Sequence, residues 1–357
     1  MAVPTSVVMD RDPHTEAKHR ILGNYLAAYF PIMSSQFSAE GLCFVDAFAG
    51  PGEYTDGGKG SPLIALGAAS RPEVIDSGCS LDSVFIEEHP GRVAHLKELL
   101  AAQRTCFNVS TRHGKCQDLL EPTLEELGLW KRAMFVNLDG WGVDTPYALV
   151  ERIGKSKRPE VLVTFSQQWF TRFAEQGDNK SGDTVFGDDR WRAVAEQPTE
   201  NKKRFLVDEY RRRLAECGFD FQLTFELTDE GGHSLFLVYG TSSIQGVRKM
   251  KDAMWSVDTA AGSKFRDPRD PNQMSFGLSD DSPDLRVLKT QILERLADGG
   301  RVSLKELKDF ALRETVYKEV HATAAVADLE AAKKVDIQHR RSDEDTLVWL
   351  APPTLFS

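Results

Sequence analysis

The segment Phe44 to Leu66, FVDAFAGPGEYTDGGKGSPLIAL, constrains the fold more than any other part of the chain. A short apolar run ending at Asp46 passes into a loop that carries Gly50, Gly52, Gly57, Gly58 and Gly60. Ser61-Pro62 then opens a helical pattern, and proline suits a first helical position because its φ is preset and its missing N–H is not needed there. Strand, glycine loop and helix in that order bring backbone N–H groups close to a small ligand, since glycine has no Cβ to obstruct the approach. The spacing is neither G-x-G-x-x-G nor a loop closed by G-K-[ST], so a dinucleotide fingerprint and a P-loop are both excluded.

The pattern around this segment alternates. Apolar residues at Ile21, Leu22, Tyr25, Leu26, Tyr29 and Phe30 recur at helical spacing and predict a helix over Thr15 to Met33. Strands are expected at GLCFVDAF, SVFIEE, RTCFNVSTRH, RAMFVNLDGWG and PEVLVTFSQQWF, with helical stretches at PGRVAHLKELLAAQ and PYALVERIGK. FQLTFELT and HSLFLVYGT read as a closing antiparallel pair. Such alternation implies an α/β fold, a doubly wound and mostly parallel sheet with helices on both faces, over residues 15–265. Residues 1–14 read as a flexible arm and 175–201 as a polar surface insertion able to close over a site. A linker is expected at 266–283, and 284–357 shows three helical patterns and a hairpin, the layout of a winged helix.

Candidate ligand contacts gather at the expected strand ends. Asp46 begins the glycine loop, where a carboxylate suits an ammonium-bearing ligand such as S-adenosylmethionine (SAM) better than the phosphates of NAD or ATP. Phe48, Ala49, Gly50, Pro51 and Gly52 with Ser61 would line the cofactor, and Glu87 would take ribose hydroxyls. Gln117 and Asp118 are the candidates for the adenine side. In NLDGWG, Asp139 could accept a hydrogen bond from a substrate amino group and Trp141 could stack on a planar ring. Lys18, His19 and Arg172 are candidate substrate contacts, with a solvated helix face or a plain salt bridge as the competing readings.

Taken together, TEAKHRILGNYL, the glycine segment, VFIEEHPGR and LDGWG resemble the three-Cys-motif partner family, as do FGDDRW, GVRKMKDAMW and TVYKEVHATAAVADLEAAKKVDI further along. The resemblance runs from about Thr15 to Trp349 and implies a Rossmann-like SAM-dependent methyltransferase core with a C-terminal winged helix. It also implies a partner, a separate radical-SAM-like protein bearing three cysteines. Amino-directed base methyltransferases, a more distant likeness, usually carry Asp-Pro-Pro-Tyr where this chain has Asp139-Gly140-Trp141-Gly142. Family members tend to show Gly-Asp where it has Gly114-Lys115.

Charge and cysteine usage narrow the remaining classes. Lys plus Arg number 44 against 54 Asp plus Glu, a net charge of −10, so a chain-wide electrostatic grip on nucleic acid is not indicated. Between Arg301 and Arg341 nine Lys or Arg stand against seven acids, a weak basic excess for a DNA-reading domain, with Arg340 and Arg341 its best candidates. Five scattered cysteines without a C-x-x-C pair favour reduced thiols over disulfides or a metal site. The N-terminus lacks a basic start and apolar run, so cytoplasmic residence is expected. The favoured expectation is methyl transfer to a nitrogen of a base-like or nucleic-acid substrate. The alternatives are a non-catalytic SAM-binding or degenerate partner subunit, and a winged-helix regulator.

Overall fold

The computed structural model describes residues 6–103, 107–140, 143–176, 180–269, 282–297 and 300–352. Helix α1 (Pro13–Gln36) leads into β1 (Leu42–Asp46), and α2 (Ser61–Ala69) and α3 (Pro72–Ile75) follow the glycine loop. The chain continues through β2 (Leu81–Glu87), α4 (Pro90–Ala102), β3 (Asn108–His113), α5 (Cys116–Glu126), β4 (Ala133–Leu138), α6 (Tyr147–Gly154) and β5 (Pro159–Phe165). Next come α7 (Gln167–Phe173), α8 (Ser181–Phe186), α9 (Thr199–Glu216), β6 (Phe221–Thr228), β7 (Ser234–Thr241), α10 (Ile244–Trp255) and β8 (Lys264–Arg266).

These strands form one sheet in the order β3-β2-β1-β4-β5-β7-β6-β8. β1 to β5 run parallel, and β7 is antiparallel to both β5 and β6. A doubly wound sheet with a reversed β7 between β5 and β6 is a Rossmann-like architecture. β1 is buried along its whole length, which explains why its sequence is a continuous apolar run rather than an alternation. Cys43 and Val45 enter a core shared with Val84, Val136 and Val161. Phe44 faces the other way, against Phe30, Phe85 and Phe135. The six residues that predicted α1 are all buried.

Two sequence expectations are corrected. Residues 181–196 are not a polar surface insertion, because Val185, Phe186, Trp191 and Val194 join the sheet core and Trp191 is fully buried. The Trp191 indole N–H donates to Asp183 over 2.9 Å, and Phe186 stacks beside the ring. Scattered apolar residues in a short helix and a 3-10 turn carry no readable period, so the polar residues around them dominated the pattern. The arm is not free either: residues 6–12 are tied down, with Arg92 donating to the Ser6 carbonyl and Thr55 N–H to that of Met9. Arg11 pairs with Asp56 at 2.9 Å. β8 was also not foreseen; it adds three residues parallel to β6.

The chain divides into two compact units, residues 1–253 with 264–274 and residues 254–263 with 275–357. The second contains α11 (Arg286–Leu296), β9 (Val302–Ser303), α12 (Leu304–Glu314), α13 (Glu319–Ala331), β10 (Val335–Gln338) and β11 (Leu347–Leu350), with strand order β10-β11-β9. This is a winged helix around Leu288, Ile292, Leu307, Ala325 and Val348. A reciprocal cap between Ser303 and Glu306 starts α12. Of the expected linker, residues 270–281 lie outside the described residues.

The buried position of Trp191 sets a test. Replacing Trp191 with Ala should lower stability by about 3–5 kcal/mol, the usual cost of emptying a large aromatic site. Urea unfolding of the full chain measures it; a loss within about 0.5 kcal/mol would return the segment to the surface.

Candidate functional site

The strand order reverses between β1 and β4, since β1 is followed outward by β2 and β3 on one side while β4 leads to β5 on the other. In open α/β sheets a crevice opens there at the carboxyl ends of the strands. A cavity of about 890 Å³ occupies this position. Its floor is Phe48 to Gly52 after β1, one side is Glu87 after β2, and the other is Asp139 after β4 with Lys18 and His19 of α1.

The glycines do two jobs. Gly50 and Gly52 have positive φ, and a Cβ on Gly52 would lie 2.8 Å from Leu96 Cδ1, so only glycine lets the loop lie this close to α4. Gly60 N–H donates to the Gly52 carbonyl over 2.7 Å, closing the loop where α2 begins. Gly57 and Gly58 serve a small hairpin in which Tyr54 N–H donates to the Gly58 carbonyl and Glu53 bridges to Lys59. That hairpin carries Tyr54 and Thr55 to the cavity wall, and the N-terminal arm is fastened to it.

Glu87 lines the cavity and accepts from the N–H groups of Gly50 at 2.9 Å and His89 at 2.8 Å. Asp139 is in an ion pair with Lys18, and the Thr164 hydroxyl donates to its other oxygen over 2.6 Å. The Phe48 ring lies where a Cβ of Gly140 would be, 2.7 Å away at its tip. The loops after β1 and β4 therefore pack on each other, which accounts for the glycine after Asp139.

Asp46 lies under this floor rather than in its wall. It is fully buried and is not among the lining residues. Its Oδ1 accepts from the Asn137 side-chain amide at 3.2 Å and from Phe48 N–H at 3.4 Å, while Oδ2 makes no hydrogen bond. Burial pushes its carboxyl up to about 6; Ser61 and Asn137 nearby hold the rise back, and Asp139 adds to it. His19 is pushed down to about 3, first by burial and then by Lys18, so its ring is neutral. Its Nδ1 is buried without a partner, and its ring lies 5.6 Å from that of Tyr54.

Of the residues singled out from sequence, Lys18, His19, Phe48, Ala49, Gly50, Pro51, Gly52, Ser61, Glu87 and Asp139 come together in one cavity. Gln117, Asp118 and Arg172 do not: all three are exposed and none lines it. Trp141 lies outside the described residues. Sequence reasoning missed Tyr54, Arg92 and Ser6 to Asp12, because hairpin and arm reach the site through tertiary contacts with no local pattern. Among the described residues no cluster of His, Cys, Asp or Glu is placed to hold a metal, and no helix is long and apolar enough to cross a membrane.

In the second unit, the exposed positions of α13 are Val320, Thr323, Ala324, Ala327 and Asp328 within its first three turns, without a basic residue among them. Asp343 and Glu344 of the wing turn engage Lys308 and Lys305 of α12.

Residues 264–340 match the family model of the GMT-like wHTH domain. No curated protein matches the chain. Among solved structures, Trm1 from Pyrococcus horikoshii with S-adenosyl-L-methionine is similar at 11% identity and a TM-score of 0.39, over 99% of this chain and 94% of that one. An O-methyltransferase from Bacillus cereus in complex with SAH is similar at 14% identity and a TM-score of 0.36, over 62% and 80%. EvdMO1 is similar at 14% identity and a TM-score of 0.33, over 62% of this chain and 42% of that protein, so less than half of its length is spanned.

The buried Asp46 carboxyl gives a pH-dependent expectation. An acid whose folded pKa is raised binds its proton more tightly folded than unfolded, so stability is lost as pH climbs from its ordinary value of 3.8 through about 6. Asp46→Asn, whose amide oxygen can still accept from Asn137 and Phe48, should therefore gain up to about 3 kcal/mol at pH 8 and almost nothing near pH 4. Urea unfolding across that range measures it, and an equal effect at both ends would contradict a charge origin.

Proposed function

We propose that the chain is a SAM-dependent methyltransferase acting on a nitrogen of a base-like or nucleic-acid substrate. The observation that carries this reading is the convergence of Glu87 and Asp139 on one cavity whose floor is the Gly50-Pro51-Gly52 turn. The ribose and amino-acid ends of the cofactor have candidate partners in the cavity. Glu87 would accept from ribose hydroxyls, and the N-terminus of α2 at Ser61 favours the amino-acid carboxylate. The buried charge of Asp46, with one oxygen unsatisfied, favours a cation above the floor.

When bound, SAM supplies an electrophilic methyl group on a sulfonium. The chain's own work is positioning, which this kind of transfer needs more than a strong base. Thr164 and Lys18 fix the Asp139 carboxylate, which would accept a hydrogen bond from the acceptor N–H and orient its lone pair. Phe48 holds the loops after β1 and β4 in register through Gly140.

One observation favours a second reading. Asp139 is already engaged by Lys18, and no proline stiffens the turn after it. A chain of this kind could bind SAM without transferring its methyl group, as the subunit of a three-cysteine, radical-SAM-like protein. A DNA-reading regulator fits less well, given the exposed face of α13.

Two variants separate these readings. Glu87→Gln should weaken SAM binding by about tenfold or more, the scale of one charged hydrogen-bonding contact. Asp139→Asn should leave SAM affinity within about twofold but abolish transfer of labelled methyl to nucleoside, tRNA or DNA acceptors. Binding without transfer in the unmodified protein, with a three-cysteine protein co-purifying, would establish the scaffold reading instead.

A further inference from the structure

Tyr54 lines the cavity but belongs to no pattern in the sequence. Its backbone is fixed on both sides. The Tyr54 N–H donates to the Gly58 carbonyl, and its own carbonyl accepts from Gly57 N–H, each over 2.9 Å. The next residue, Thr55, is clamped to the arm by its N–H, which donates to the Met9 carbonyl over 3.0 Å. The ring lies beside α1, 5.6 Å from that of His19. A side chain anchored in this way is in place before any ligand arrives, so little freedom is lost when it makes a contact.

The hydroxyl of this ring is unused by the fold. Among the described residues it makes no hydrogen bond, and it is not one of the unpartnered polar atoms sealed from solvent. It is therefore open to whatever enters the cavity. Burial, and then the charge of Asp139 ahead of that of Asp46, push the phenol well above its ordinary range, so it keeps its proton and remains a neutral donor. Asp139 is the charge that acts on it most, which places the two groups toward the same part of the cavity. They are not paired with each other: Asp139 is engaged by Lys18 on one oxygen and by the Thr164 hydroxyl, at 2.6 Å, on the other.

One part of the wall thus offers a carboxylate that accepts and a phenol that donates. An amine by itself answers only the carboxylate. An aminated ring whose amine adjoins an unprotonated nitrogen answers both, since the amine donates and the ring nitrogen accepts. A ring with C–H at that position would leave the phenol unpaired, which is how a polar pocket rejects a near-isostere.

Resting on the methyl-transfer reading, we infer that Tyr54 is a substrate-binding residue that sets specificity: its hydroxyl donates to the ring nitrogen beside the amine that Asp139 receives, so the acceptor is an aminated ring with an unprotonated nitrogen next to that amine.

Two pairs of nucleosides test this, cytidine with 3-deazacytidine and adenosine with 1-deazaadenosine. Within each pair the only change is N to C–H beside the amine. They are titrated into the full chain in excess S-adenosylhomocysteine. In at least one pair, Tyr54→Phe should weaken binding of the parent nucleoside by about fivefold, the scale of one neutral hydrogen bond, and leave its deaza analogue unchanged. The same variant should keep its S-adenosylhomocysteine affinity within about twofold and its urea midpoint unchanged, because the hydroxyl has no partner in the fold. Equal losses for both members of each pair, no loss in either pair, or no binding of either parent nucleoside would overturn the inference. If neither SAM nor S-adenosylhomocysteine binds but the variant still distinguishes a pair, the methyl-transfer reading falls and Tyr54 stands as a base contact. If SAM binds and the variant distinguishes neither pair, this inference falls alone.

Discussion

The hydrogen bond from Asn137 to Asp46 joins the ends of β1 and β4 at the place where strand order reverses. Everything around the cavity depends on how that junction is held. The two strands pair in parallel up to this point, Asp46 opposite Asn137, and then their loops leave in register because Phe48 packs over Gly140. A carboxylate is a costly group to bury there. Its oxygens are only partly satisfied, and the penalty grows with pH. A cation above the floor would offset that penalty, so the feature that weakens the unliganded fold would favour a cationic ligand. Strain of this kind is what a binding site exacts from an otherwise consistent sequence.

The Lys18–Asp139 pair has a related character. Both side chains are mostly buried, so the pair is more than a surface contact. It fixes the carboxylate and ties α1 to the end of β4. Thr164 on β5 completes the support. Asp139 is thus held from α1 and β5 as well as by its own strand end.

Much of the sheet was legible because its strands are buried on both faces and its helices are amphipathic. The α1 face, the alternation of strands and helices along the chain and the closing antiparallel pair follow from period and length, whereas the order of strands across the sheet does not. The cavity was legible where residues follow strands directly, as Gly50, Gly52, Glu87 and Asp139 do. It was illegible where tertiary contacts decide: Tyr54 on its hairpin, the arm across it, and Trp191 drawn inward from a polar stretch. β8 and β9, at three and two residues, are too short to show a period. Asp46 was read as a direct ligand contact, and its full burial depends on Asn137 reaching across from β4, which no spacing encodes. Gln117 and Asp118 sit on the exposed start of α5, where a helix phase, not a strand end, sets their direction.

On the proposed function, the crevice at the ends of β1, β2 and β4 binds S-adenosylmethionine. Calorimetric titration of the full chain with SAM, S-adenosylhomocysteine and NAD tests it most directly. Micromolar binding of the first two and none of NAD is the predicted result, since the loop lacks both phosphate-binding fingerprints. A folded chain that binds neither SAM nor S-adenosylhomocysteine, or that binds NAD in their place, would contradict it.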